Sequence, residues 1–164
     1  MALIAGPPTI NTEELMRVLE LAGLILECFP GYEGHQHGGV LCVADNSTGL
    51  PLLTCVFGCI TIEEHEACMG FALEKARRLA ENPLHFTSFE SRDMDAVPKR
   101  YGSAIRGRKF ILSFSSGSKE EQDEVAMLLL ELMLIGGIDE APRWLAERTT
   151  TNPYFAELQC GVAF

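Results

Sequence analysis

Residues 61–80 constrain the fold of this chain more than any other stretch. Thr61 followed three positions on by Glu64 is a capping box, so a helix starts here. Ile62, His65, Met69, Ala72, Ala76 and Leu79 recur at helical spacing and mark one apolar stripe. Glu63, Glu74, Lys75, Arg77 and Arg78 fill the rest of the wheel and read as its polar side. A strand-turn-strand pattern stands on either side of this helix. Whatever the chain builds must therefore pair two hairpins and lay an amphipathic helix against them.

The first hairpin is 40–44, the turn formers Asp45-Asn-Ser-Thr-Gly49, and a returning strand over 50–57. Pro51 near the start of that strand points to a sheet edge or a strand end. The second hairpin runs over 101–106 and 109–114 around Gly107. Between helix and second hairpin, residues 81–98 form a long polar connection holding aromatics, of the kind that is functional or mobile.

A helix over 12–28 opens the pattern, with Leu15, Val18, Leu19, Ala22, Ile25 and Leu26 on one face, and Pro30-Gly31 stops it. After the second hairpin, Ser118 with Glu121 reads as another capping box. The helix it opens, over 119–135, is the most apolar and belongs in the core or in a subunit interface. Gly136-Gly137 ends it, and 139–147 suits a short helix with Trp144 packed inward. These elements make one domain over 1–148 and an extension over 149–164. The apolar end of that extension is expected to dock on the body or on a neighbouring subunit.

Charge and cysteine usage exclude some classes. A net charge of −10 argues against binding to the phosphate backbone of nucleic acids and against an anionic membrane surface. The first residues lack a basic region and an export-type apolar core, and the apolar run near 127–135 is interrupted by Glu131. The expectation is a soluble cytoplasmic protein. Six cysteines, mostly in apolar segments, then read as buried reduced thiols. Cys55 and Cys59 are spaced as a weak metal signal with no second pair. His35 and His37 lie in a glycine-rich loop that reads either as a metal-binding turn or as a solvated one.

The order helix, two strands, helix, connection, two strands, helix resembles the GlcG/HbpS-like family, also called haem-degrading-domain proteins. Three places carry the likeness over about residues 12–135. Val43-Ala-Asp-Asn-Ser-Thr-Gly49 is similar to that family's V-x-D-x-x-G hairpin turn, with one extra residue before the glycine. Ala72-Leu-Glu-Lys-Ala-Arg-Arg-Leu-Ala80 is similar to its A-x-x-K-A-x-x-x-A helix. Ser115-Ser-Gly-Ser-Lys-Glu-Glu-Gln-Asp123 is similar to its V-S-G-x-x-x-x-x-D segment, with Ser115 in the valine's place. The family's Gly-Gly-Val/Phe-Pro strand has no counterpart near Tyr101. The resemblance implies an α+β, profilin-like sandwich: an antiparallel sheet with helices packed on its faces. It further implies homo-oligomers and, in some members, a bound haem or corrinoid-like ligand.

Candidate ligand-binding residues fall in two groups. His65, with Cys68 and Met69 one turn on, supplies soft donors that suit an axial haem position. The alternative is a structural histidine among packing residues. Arg100, Tyr101 and Arg106 lie in an island over 91–110, where six basic residues face two acidic ones for a local charge of +4. Arginines there suit haem propionates or a small organic anion, and equally suit protection of a sheet edge. The Ser115–Ser118 stretch precedes a helix without the spacing or lysine of a phosphate loop. No nucleophile elbow surrounds Ser116, so an enzyme is the weaker expectation. The sequence thus supports two readings: a non-catalytic ligand-binding or sensor module, and an oligomeric scaffold that binds no cofactor.

Overall fold

The computed structural model describes residues 11–28, 38–117, 119–136, 141–148, 151–152 and 155. The His35/His37 loop and most of the C-terminal tail lie outside them, as does Ser118.

The chain runs α1 (Thr12–Cys28), β1 (Gly39–Asp45), β2 (Pro51–Phe57), α2 (Ile62–Glu81), a 3-10 turn (Ser88–Ser91), β3 (Ala104–Arg106), β4 (Phe110–Ser116), α3 (Glu120–Ile135) and α4 (Ala141–Ala146). The four strands form one antiparallel sheet in the order β2-β1-β4-β3. This is an α+β sandwich of the profilin-like kind. The two hairpins join through their inner strands, so the connection from β2 to β3 must cross the whole sheet. Helix α2 makes that crossing.

Both inner strands are apolar at consecutive positions because both their faces are covered. Leu41, Val43, Leu112 and Phe114 point to the core shared with α1 and α3. Val40, Cys42, Ala44 and Ile111 point to the core under α2. Small residues, Cys68, Ala72 and Ala76, line α2 where it meets the sheet, and the helix lies close. The first hairpin turn is drawn in as well. Gly49 has φ +70, and a Cβ there would sit 2.8 Å from the Arg77 Cα, so only glycine fits.

The capping box of α2 forms as its sequence predicts: Glu64 donates its N–H to Thr61 Oγ1 at 3.2 Å, and Thr61 donates to Glu64 Oε2 at 2.7 Å. The predicted polar side of the helix needs correction. Lys75 and Arg78 are buried, whereas Ile62 is 76% exposed. The sheet-facing stripe runs through Cys68, Ala72, Lys75, Ala76 and Leu79. It is turned by three residues, roughly 60° of arc, from the stripe that hydrophobicity alone selects. Close approach through the small residues brings Lys75 inside, where the Phe114 carbonyl and the Ser103 hydroxyl meet its ammonium.

The Ser118/Glu121 capping box predicted for α3 rests on Ser118, which lies outside the described residues. Lys119 precedes the helix with no side-chain cap bond. The carboxylate of Asp123 instead accepts from Ser116 N at 3.0 Å, tying the helix start to the end of β4.

Trp144 is buried and meets Phe86 edge to face at 5.3 Å, and Phe155 meets Phe86 at 5.7 Å. Asn152 donates to Glu124 Oε1 at 3.0 Å.

Candidate functional site

The six predicted ligand residues do not converge. His65 is half-buried near the start of α2, and its imidazole makes no hydrogen bond or ion pair among the described residues. Met69 is half-buried against the core under α2. Cys68 is buried, and desolvation pushes its thiol up despite the Ser115 hydroxyl beside it. Tyr101 sets its ring edge to face on Phe71 at 5.0 Å and gives its carbonyl to Arg78.

Arg106 is spent internally. Its guanidinium donates to Asn46 O at 2.8 Å, Asn46 Oδ1 at 2.9 Å, His85 O at 3.2 Å and Asn82 O at 3.3 Å, and also to Leu79 O. Leu79 and Asn82 lie at the C-terminal end of α2, where unsatisfied carbonyls favour a cation. Arg106 thus joins that end to the first hairpin turn and has little capacity left for a ligand.

Arg78 does the same one turn earlier. It donates to Ser88 O at 2.9 Å, Ser91 O at 2.7 Å and Ser91 Oγ at 2.6 Å, and it pairs with Glu74 at 2.7 Å. These bonds fold the 81–98 connection onto α2. Neither the burial of Arg78 nor that of Lys75 follows from local sequence. Their only signal was that each is next to a residue of the apolar stripe, Lys75 to Ala76 and Arg78 to Leu79.

Lys75 is the most enclosed charge. Its Nζ donates to Phe114 O at 2.7 Å and to Ser103 Oγ, and Ser103 Oγ in turn donates to Phe114 O at 2.8 Å. Burial pulls its pKa down to about 8 against the opposing pull of Asp123 and Glu120. Ser103 stands in the left-handed region at φ 78, and its N–H donates to Glu124 Oε2 at 3.2 Å. Burial pushes Glu124 up to about 7, against hydrogen bonds from Asn152, Ser103 and Thr87.

A serine beside a lysine is a nucleophile only when the lysine accepts the hydroxyl proton. Here the ammonium donates, the hydroxyl proton goes to a carbonyl, and both residues are closed off from solvent. The buried thiols are likewise held as thiols, with Cys42 pushed up to about 11 by desolvation.

Two clefts border these groups. One, of about 460 Å³, lies beside α2 and includes Leu73, Glu74, Arg77, Ser91 and Arg100. Arg100 is exposed, and its guanidinium makes no bond among the described residues. Arg77 is paired with Glu81 at 3.0 Å on the surface. The other cleft, of about 360 Å³, lies between α1 and α3 over the buried Glu131. Glu131 accepts from Arg108 N at 2.7 Å, and desolvation raises its pKa.

His65 borders neither cleft. A haem needs open volume beside its axial donor and free cations for its propionates. Of the residues the resemblance offered, His65 lies away from these two clefts, and Arg106 is engaged with internal carbonyls. Among the described residues no set of three His, Cys, Asp or Glu side chains is placed to hold a metal ion, and no helix is long and apolar enough to cross a membrane.

The sheet edges differ. Beside β3 runs the 86–88 segment: Arg106 N donates to Phe86 O at 2.8 Å, Ala104 N donates to Ser88 Oγ at 3.0 Å, and Thr87 bridges Ile105. Beside β2 no described strand or segment pairs. Helix α2 covers β1, β4 and β3 and leaves the outer face of β2 open, where Val56 is 43% exposed. Pro51-Leu-Leu-Thr-Cys-Val-Phe57 carries no charge.

The class of protein the fold defines is an α+β sandwich, with the β2 edge unpaired among the described residues. Comparison with known proteins places it no further: no protein family, no curated protein and no solved structure matches this chain.

Proposed function

We propose that this chain is a non-catalytic interaction module that engages another polypeptide at the β2 edge. The observation that carries the reading is the uncharged β2 strand, whose outer edge no described segment pairs. Edge strands normally carry lysine, a mid-strand proline or a cover against chance pairing. β2 has Pro51 at its start and a bulge opposite Val43/Ala44, and its remaining run has no such guard. Leu50, just before β2, and Ile62, at the start of α2, are 64% and 76% exposed. An edge of this kind adds a strand from a partner, with main-chain bonds for affinity and alternate side chains for choice. The free thiols Cys42, Cys55, Cys59 and Cys68 suit a reducing, cytoplasmic setting.

Selection of displayed ten-residue peptides on the immobilised chain tests this. Binders are expected that lose affinity to a Thr54→Lys/Val56→Lys variant whose melting is unchanged. Binders indifferent to both substitutions would overturn it.

A second reading rests on Arg100. Its unengaged guanidinium beside Arg77 suits a small carboxylate or phosphate in the cleft next to α2. Isothermal titration with citrate and inorganic phosphate tests it: heat that disappears in Arg100→Ala supports the reading, and its persistence opposes it.

A further inference from the structure

We infer that the partner of the β2 edge is a second copy of this chain, joined antiparallel about a two-fold axis at Cys55. The inference rests on the interaction reading above and names its partner. Three observations carry it.

The first is backbone direction. Arg106 N–H turns away from β4 to Phe86 O, while Gly107 N–H turns toward it, to Phe110 O. Alternation carried through the register of β4 and β1 aims the amides and carbonyls of Leu53, Cys55 and Phe57 at β1. Those of Thr54 and Val56 then face outward.

The second is the position of the bulge. The register shifts opposite Val43/Ala44, and the regular run of β2 is Leu53 to Phe57. Its centre is Cys55. A two-fold axis there places Thr54 opposite Val56 of the other copy, and each such pair exchanges both of its main-chain hydrogen bonds. The two pairs make four bonds. Thr54 and Val56 are β-branched neighbours on the open face, a favourable cross-strand match. On the other face Leu53 meets Phe57.

The third is charge. A chain of net charge −10 resists meeting itself over most of its surface. The β2 strand carries no charge, so two copies meet there without direct opposition. Desolvation raises the Cys55 thiol pKa, and the nearby Glu27 carboxylate adds to it. Both copies bring that carboxylate to the rim, so added salt tightens the pairing.

Sedimentation equilibrium of the full chain tests the inference. A dimer is expected that strengthens with salt. Thr54→Pro removes two of the four N–H donors without touching the β1 ladder, since proline is tolerated on an open edge. It should weaken association by about tenfold or more. Val56→Lys is the second variant, should Thr54→Pro lose its native circular dichroism.

The axis also has a covalent readout. Opposed residues of a non-hydrogen-bonded pair lie about 4.5 Å apart at Cα, within disulfide reach. Copper–phenanthroline oxidation should link the copies through Cys55, an adduct lost in Cys55→Ser and kept in Cys59→Ser. A chain monomeric to about 200 µM overturns the inference. So does a dimer indifferent to Thr54→Pro and Val56→Lys, or a link made only by Cys59. A monomer whose β2 edge still takes selected peptides overturns self-pairing and leaves the interaction reading standing.

Discussion

Lys75 and Ser103, 28 positions apart, meet inside the protein as ammonium donor and hydroxyl acceptor, and both close on Phe114 O. The contact fastens α2 to the segment entering β3 and to β4 at once. It is also why Ser103 holds φ 78 without being glycine.

A buried ammonium is a costly way to make that joint. Replacing it with an apolar group of similar shape removes the desolvation cost, and Ser103 keeps its bond to Phe114 O. Lys75→Met is expected to be neutral or stabilising at pH 7. Lys75→Ala leaves a cavity and should cost about 2–4 kcal/mol. Urea unfolding of the two variants checks this. A Lys75→Met protein as unstable as Lys75→Ala would mean that the ammonium itself holds the joint.

Stability should depend on pH through two buried groups of opposite sign. Glu124 ordinarily ionises near 4.5 and in the fold at about 7. Between those values the native chain keeps a proton the unfolded chain has lost, so stability falls as pH rises, by up to about 3 kcal/mol. Lys75 ordinarily releases its proton near 10.5 and in the fold at about 8. There the unfolded chain holds the extra proton, so stability rises with pH across that window. Urea midpoints from pH 5 to 10 should therefore dip between 7 and 8. Glu124→Gln should flatten the acid limb, and Lys75→Met the alkaline one.

The two arginines of the basic island should separate cleanly. Arg106 bonds carbonyls of α2 and of the first hairpin turn, and its loss removes the link it makes between them. Arg106→Ala should cost about 3 kcal/mol or more. Arg100 makes no such contact among the described residues, and Arg100→Ala should stay within about 0.5 kcal/mol. Thermal melts decide it, and equal losses would contradict the internal role of Arg106.

The two hairpins, three main helices and the α2 capping box were legible because each is written in neighbouring residues. Turn formers at 45–49, the Thr61/Glu64 pair and the apolar alternation need no distant partner. Pro51 pointed to a sheet edge or a strand end, and it opens β2, the outermost strand of the described sheet. The candidate site was not legible in the same way. His65, Met69 and Arg100 were chosen for their donor chemistry, and nothing local told which of them the fold would bring together.

Sequence by itself therefore determined the elements, their order and the α+β class. Spacing along a chain encodes which residues share a face. Tertiary structure alone decided that β1 and β4 join the hairpins, that α2 turns Lys75 inward, and that Arg78 and Arg106 serve distant carbonyls. Those outcomes depend on which acceptors lie within hydrogen-bond reach after packing. The same packing left β2 with an outer edge that no described segment pairs.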